Sequence, residues 1–187
     1  GKGAFVDVAM LDSQLAIQEH AVAIASATGK APGPTGARHP TITPFATYRA
    51  ADGFVVIAAG NDAMFGKLCA VLGLGIASDP RFATNAARCD NHALLKRLIE
   101  AVTLGETVAH WIAVLEAASL PTARVQDMVE VLRDPQIRAR NMVLPVTPHP
   151  GGPAFTATGN PVKMSSLPEV TTLPPALFEL ADTLEEL

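Results

Sequence analysis

Residues 29 to 44, GKAPGPTGARHPTITP, contain three glycines and four prolines. Proline fixes φ and lacks a backbone N–H, so neither a helix interior nor a central strand tolerates this density. The segment therefore predicts a long loop that divides the chain, and it is the best candidate for a linker between domains.

The residues before this loop predict a strand followed by a helix. Phe5, Val6 and Val8 indicate a short strand, and apolar residues then recur near helical spacing in an alanine-rich stretch from Leu11 to Ala27. Gly29 is placed to end that helix, because glycine readily adopts the left-handed conformation that follows a helix C-terminus.

The residues after the loop predict a hairpin and then three helices. FATYRA and FVVIAA are strand-like, and Ala51-Asp52-Gly53 between them carries an Asp-Gly turn signal. Asn61 and Thr107 are candidate helix N-caps, Gly73 a helix stop, and Pro121 the end of the third helix. The apolar faces of the three helices are Phe65, Leu68, Cys69 and Leu72; Leu94, Leu95, Leu98, Ile99 and Val102; and Val108, Trp111, Ile112 and Leu115.

The last third of the chain predicts shorter elements than the middle. Two short helices are expected between Val129 and Arg140, broken at Asp134-Pro135 because a residue before proline avoids the α region. Strands at 142–147 and 154–158 around a turn at 150–153, an irregular stretch at 159–175 and a final helix at 177–187 follow. A compact α+β module thus stands between two pieces that lack a core of their own.

Charge and cysteine content narrow the classes of function. The net charge of −4 argues against a nucleic-acid or anionic membrane surface, and no run of 18 apolar residues predicts a membrane span. The N-terminal residues lack the pattern of a signal peptide, so a cytoplasmic protein is expected. Cys69 and Cys89 have neither zinc-like nor redox-like spacing and are expected to be reduced thiols.

Motifs for a metal site or for nucleophilic catalysis are missing from the sequence. No histidines pair at i, i+4, and neither an HExxH pattern, a GxSxG elbow, a GxGxxG after a strand nor a phosphate loop occurs. The scattered histidines are His20, His39, His92, His110 and His149.

The loop from Gly33 to Pro40 is the richest candidate for a binding site. Its glycines allow a backbone to approach a ligand closely, and Arg38 suits a carboxylate or a phosphate. A solvated linker with an incidental arginine is the alternative reading. Asp52 is expected to be a turn residue, Asp134 a helix cap and Trp111 a core residue. A basic patch is one interpretation of Arg81, Arg88, Arg97, Arg133, Arg138 and Arg140, but solvated helix faces are expected to carry them.

Five stretches in order resemble the class III CoA-transferase family, the CaiB/BaiF-type acyl-CoA transferases and racemases. They are GKGAFVDVAMLDSQL, TPFATYRAADGFVVIAAGNDAMFGKLCAVLG, DPRFATNAARCDN, LEAASLPTARVQDMVEVLRDPQIRARNMV and GNPVKMS. Each alone is weak, but their order across nearly the whole chain is a strong signal. The family's chains are about twice as long, and GKGAFVDVAML resembles the start of their second half.

The resemblance implies an incomplete α/β, Rossmann-like large domain with a small α+β domain inserted into it, in a chain that forms interlocked dimers. Residues 1–40 would be a large-domain segment and linker, 41–144 the small domain, and 145–187 the return segment to the large domain.

The resemblance also implies a chemistry whose central residue lies elsewhere. The family's transferases use an aspartate that attacks the acyl-CoA thioester, and its racemases use a His and an Asp to move a proton. No aspartate here matches the nucleophile, so neither Asp7 nor Asp12 is assigned that role and no catalytic residue is named. In the family a glycine-rich loop closes over the intermediate, and the corresponding residues here are Gly36, Arg38 and His39. This loop reads TGARHP and so departs from the family's glycine run. The C-terminus, PPALFELADTLEEL, departs from the family's usual Gly-Glu-His.

The leading hypothesis is the C-terminal half of an acyl-CoA transferase, inactive alone and joined by an N-terminal half and a homodimer partner. Coenzyme A thioester and carboxylic acid would be substrates, with no permanently bound cofactor, metal, nucleic acid or membrane. The alternatives are half of an α-methylacyl-CoA racemase-type enzyme and a non-catalytic binding or interaction module derived from the fold.

Overall fold

The structure is a computed structural model that describes residues 3, 5, 7–147, 154–166 and 168–173. It divides into two compact units, Gly1–Arg124 and Val125–Leu187. The helices are α1 Met10–Ala16, α2 Glu19–Thr28, α3 Asp62–Val71, α4 Asn85–Asp90, α5 His92–Thr103, α6 Val108–Ala117, α7 Met128–Val131 and α8 Pro135–Ala139. The strands are β1 Phe45–Ala50, β2 Gly53–Ala58, β3 Thr122–Arg124, β4 Val143–Val146 and β5 Phe155–Thr158.

An antiparallel sheet in the order β1-β2-β3 forms the centre of the first unit. The predicted hairpin is confirmed, with Tyr48 opposite Val55 across β1 and β2. β3 pairs with β2 and places Ala123 opposite Val56. The sequence does not predict β3, because three residues are too few to show the alternation of a strand.

The core of the first unit lies between one face of this sheet and the helices α3, α5 and α6. The apolar faces expected for these helices are confirmed at their centres, and Trp111 is the core residue that its spacing predicts. The buried members are Tyr48, Ala50, Val55, Ile57, Ala59, Phe65, Leu68, Cys69, Leu72, Phe82, Leu95, Ile99, Val108, Trp111, Leu115 and Leu120.

Side-chain caps explain where the helices of this unit begin. Asn61 accepts the Met64 N–H at the start of α3, and Thr107 accepts the His110 N–H at the start of α6, as the sequence predicts. Thr84 caps α4 in the same way. The sequence does not predict α4 itself, because NAARCD is one short turn and a half without an apolar stripe.

The N-terminal residues differ from the sequence expectation. Phe5 and Val8 lie in no strand, and Val6 is outside the described residues. The predicted helix is interrupted at Ile17 and Gln18, so two helices form, and Gly29 ends the second with φ 66°. Apolar alternation makes a strand only where a neighbouring strand supplies hydrogen bonds, and none of the described strands does so here.

The second unit contains α7, α8 and the β4–β5 pair, which confirms the predicted helices and strands. Asp127 and Glu130 form a capping box at α7. Asp134 caps α8 by accepting the N–H groups of Gln136 and Ile137, as expected. The predicted turn at 150–153 and the predicted helix at 177–187 lie outside the described residues. The domain boundaries at 40/41 and 144/145 stay a prediction.

Over the described part of the chain, no single helix has the length and apolar composition to cross a membrane. One pair of helices taken together has the length and composition of a span, but the two helices are bent by 106° to each other; they are His92–Thr103 and Val108–Ala117.

Candidate functional site

The loop that contains Gly36 is attached to the outer edge of β1. Ala37 O accepts the Thr47 N–H at 3.1 Å, and the His39 N–H donates to Phe45 O at 2.8 Å. Arg38 forms an antiparallel bridge with Ala46 between these two bonds. The end of the long loop therefore continues the sheet, which its proline content gives no reason to expect.

Gly36 turns the chain into this edge position. Its φ of 64° lies in the left-handed region, where a side chain is strained and glycine is not. No heavy atom outside its chain neighbours lies within 4 Å of where a Cβ would stand, so the backbone angle, and not crowding, is the reason for glycine.

A cavity of about 250 Å³ opens between this loop, β1 and α5. Among the described residues, its lining includes the cations Arg38 and Lys96 and no acidic side chain. Such a lining suits a small anionic group, because carboxylate and phosphate oxygens accept charge-assisted hydrogen bonds from Arg and Lys. The lining residues are Thr35, Gly36, Ala37, Arg38, Thr43, Phe45, Ala46, Tyr48, His92 and Lys96.

Of the two cations in the lining, Arg38 donates from Nη1 to His39 O at 3.3 Å, and Lys96 is only weakly engaged. Lys96 Nζ lies 3.8 Å from Oε1 of the half-buried Glu100, a distance longer than a hydrogen bond, and such a loose pair contributes little to stability. Glu100 also accepts the Arg49 N–H at 3.1 Å. Burial, and then the nearby Glu100 carboxylate, raise the pKa of Tyr48, so this buried residue stays a neutral phenol.

His39 lies apart from this cavity. Its Nδ1 accepts the backbone N–H of Thr41 at 3.2 Å and that of Ile42 at 3.1 Å, and its ring stacks on Phe45 with centroids 5.3 Å apart. Desolvation, and then the neighbouring His20 ring, lower the pKa of His39. The structure thus brings Gly36 and Arg38 to one cavity that His39 does not line. His39 lines a second, open depression, which Gly36 and Arg38 also line, and it is a neutral acceptor for the loop's own backbone.

Arg88 corrects the sequence expectation of a solvated helix face. Its side chain is 0% exposed. The guanidinium donates from Nε to Thr43 O at 2.6 Å, from Nη1 to Phe82 O at 2.9 Å and from Nη2 to Asp62 Oδ1 at 2.6 Å. It also lies 4.6 Å from the centroid of the Phe65 ring. Nothing in its own helix signals this burial, since the partners come from three other segments of the chain.

The other sequence candidates have structural contacts. Asp52, in the hairpin turn, accepts the Val108 N–H at 2.7 Å and so also fixes the start of α6. Trp111 donates from Nε1 to Thr103 O at 2.7 Å. Cys69 is a buried free thiol whose pKa is raised by burial, and Cys89 is a half-buried one. The described residues contain no cluster of three or more metal-ligating side chains.

The chain is similar to known CoA-transferases over almost its whole length. The family model of CoA-transferase family III matches residues 1–179. The acetyl-CoA:oxalate CoA-transferase of Acetobacter aceti is 42% identical over 166 residues, which are 88% of this chain and 41% of that protein. The succinate–glutarate CoA-transferase of Agrobacterium fabrum is 32% identical over 169 residues, which are 90% of this chain and 42% of that protein.

A solved structure extends the similarity to the fold. A CaiB/BaiF family protein from Brucella suis superimposes with a TM-score of 0.73 and 33% identity, over 99% of this chain and 48% of that one. The chain thus spans less than half the length of the relatives it matches. A family match over residues 1–179, and a fold shared with a CaiB/BaiF protein, show that the chain belongs to CoA-transferase family III.

Proposed function

We propose that these residues form the C-terminal half of a class III acyl-CoA transferase, which moves coenzyme A between an acyl-CoA thioester and a carboxylic acid. The observation that carries the proposal is the family match over residues 1–179, with relatives named as transferases for oxalate and for glutarate. Coenzyme A enters as the thioester of a substrate and not as a bound cofactor.

On this proposal, the nucleophilic aspartate belongs to the N-terminal half. The chain matches 41% and 42% of the two curated relatives, which leaves more than half of such a protein to supply that residue. The described residues that line the cavity beside Gly36 supply cations and hydroxyl groups but no carboxylate. It is therefore equipped to hold an anion and not to attack a thioester.

The apolar surface of α1 and α2 supports the same proposal. Neither helix has a buried residue, and Leu11 and Leu15 are 80% and 63% exposed. Exposed apolar faces of this kind mark interaction surfaces. We assign residues 1–40 and 145–187 to a large domain that the N-terminal half completes, 41–144 to the inserted small domain, and the whole to an interlocked homodimer.

The Gly36 loop is proposed to cover the reacting centre and to limit attack by water on the intermediate. Arg38, on the same loop, and Lys96, on α5, would supply positive charge to the anionic substrate groups beneath it. The support is their common cavity and the anion-binding chemistry of both side chains.

The proposal is tested by assembling the chain with an N-terminal half and measuring thioester exchange between an acyl-CoA and oxalate, glutarate or succinate. Exchange is expected for the assembly and not for the 187-residue chain alone. As controls, Asp7→Asn and Asp12→Asn in this chain should leave exchange intact. Exchange by the isolated chain would contradict the proposal, and deuterium incorporation at the substrate α-carbon without exchange would favour a racemase-type enzyme.

A further inference from the structure

The segment 41–43, between the Gly36 loop and β1, is held by side chains of α4. Asn85 Oδ1 accepts the Thr43 N–H at 3.0 Å, and Asn85 Nδ2 donates to Thr41 O at 2.8 Å. Arg88 Nε donates to Thr43 O at 2.6 Å. One helix therefore binds both backbone polar groups of Thr43 and the carbonyl of Thr41.

The remaining backbone donors of this segment are held by His39, whose Nδ1 accepts the N–H groups of Thr41 and Ile42. In the part of the chain that the structure describes, no backbone group pairs with the backbone of 41–43. Residues 37–39, in contrast, are bonded to β1 through the backbone. The path of 41–43 thus depends on side chains and not on a sheet or helix ladder.

The base of this attachment is rigid. Arg88 is fully buried and is tied to Phe82 O and Asp62 as well as to the loop. Thr84 caps α4 one residue before Asn85. A fixed helix that holds an irregular segment at two adjacent turns can set the position of that segment, because its own groups have little freedom to follow the loop.

Thr43 connects this attachment to the candidate site. It is 6% exposed, and it lines the same cavity as Gly36, Arg38 and Lys96. A change in how Asn85 and Arg88 hold Thr43 therefore changes one wall of that cavity and the point where the loop rejoins β1.

We propose that Asn85 and Arg88 are positioning residues for the substrate loop: they hold residues 41–43 against α4 and thereby set the geometry of the Gly36 loop over the cavity. That this loop meets a substrate rests on the proposed function. The attachment of the loop is tested without any activity, so the two proposals fail separately.

Asn91 offers a matched control for Asn85. It lies at the other end of α4, and its Nδ2 donates to two backbone carbonyls, Arg81 O at 3.3 Å and Ala87 O at 2.9 Å. Replacing either asparagine by alanine removes two hydrogen bonds to the backbone. Of these two residues, Asn85 binds residues 41–43 and Asn91 does not.

The first experiment measures amide hydrogen exchange in the 187-residue chain. In Asn85→Ala the Thr43 amide should exchange roughly tenfold or more faster, while β1 and β2 amides keep their protection, since only local opening is made easier. Asn85→Asp retains an acceptor and should keep most of the protection at Thr43. The attachment would be overturned if the Thr43 amide of Asn85→Ala exchanged at the wild-type rate. It would also be overturned if Asn91→Ala lost as much protection at Thr43 as Asn85→Ala does.

The second experiment compares kcat and KM for the assembled enzyme that carries the same variants. Asn85→Ala should lower kcat/KM roughly tenfold relative to Asn91→Ala at matched thermal stability, with partial rescue by Asn85→Asp. If exchange at Thr43 rises but both alanine variants have equal kinetics, the positioning role is wrong and the contact is structural only. If the wild-type assembly has no transferase activity, the proposed function is wrong. The amide hydrogen exchange of Thr43 still decides whether Asn85 holds the loop.

Discussion

Helices in two regions of the first unit differ in burial. α5 buries Leu95, Ile99 and Thr103 against the rest of the unit, whereas α1 and α2 have no buried residue. Phe82 is 0% exposed and Phe5 is 93% exposed. Burial is thus a property of two matching surfaces, and an apolar sequence specifies only one of them. The buried core of the first unit lies between Tyr48 and Leu120, and α1 and α2 add no buried residue to it.

The largest expected effect is the contrast between these two phenylalanines. Phe82→Ala should lower the free energy of unfolding by about 3–5 kcal/mol, because it removes a fully buried aromatic ring. Phe5→Ala should change it by less than about 0.5 kcal/mol, because that ring is already in water. Urea denaturation of both variants measures the difference, and similar losses would mean that the N-terminal region belongs to the same core.

Arg88 and Arg97 sharpen the comparison within the packed region. Arg88→Met should cost about 2–4 kcal/mol, because it leaves the carbonyls of Thr43 and Phe82 without their donor in a buried place. Arg97 is exposed on α5, and Arg97→Met should be close to neutral. Thermal and urea unfolding measure both. A near-neutral Arg88→Met would show that the buried guanidinium is replaceable by an apolar chain, as some buried ion pairs are.

Leu15 tests whether the exposed helices are an interface. Leu15→Ala should leave the isolated chain within about 0.5 kcal/mol of wild type. It should weaken association with an N-terminal half roughly tenfold or more, about 1.4 kcal/mol per factor of ten, if that half covers α1. Gln14→Ala, at an exposed neighbouring position, is the control. Association measured by titration calorimetry that is equal for both variants would place the interface elsewhere.

The smallest expected effect is the pH dependence of the loop through His39. Its folded-state pKa lies below the ordinary value of 6.5, so the unfolded chain binds the proton more readily. Stability is therefore lost as the pH falls below about 6.5 toward the folded pKa, and it is fully present above that window. The charged or titratable neighbours that face His39 are His20 on α2 and the adjacent Arg38.

His39→Asn removes this titration and retains an oxygen that can accept the Thr41 N–H in an Asx turn. Its urea midpoint should fall less than that of wild type between about pH 7.5 and about pH 5. His110→Gln, on the exposed side of α6, is the control for replacing a histidine outside the loop. An unchanged slope in His39→Asn would assign the pH dependence to other groups.

Local patterns in the sequence predict much of the fold. The Asp-Gly turn predicts the hairpin, the i, i+3, i+4 faces predict α3, α5 and α6, and Asn61, Thr107 and Asp134 are the caps that their positions indicate. The ordered family motifs indicate the family that the comparisons show. One exception is the strand predicted from Phe5 and Val8, which lie in no strand. The others are β3, α4 and the interruption at Ile17 and Gln18, which are too short to have a period.

The sequence by itself determined the family, the central hairpin and helices, and the loop at Gly36 as the place to look for a site. The hairpin and the helices depend on contacts between residues that are near in the chain, so the spacing of residue types predicts them. The family follows from the order of the motifs. Only the tertiary structure decided that Arg88 is buried, that Asn85 holds Thr41 and Thr43, that His39 is not in the lining of the cavity beside Gly36, and that Lys96 joins Arg38 there. The Asn85 contacts join positions 42 and 44 residues apart, and no local pattern records which distant backbone group a polar side chain will meet.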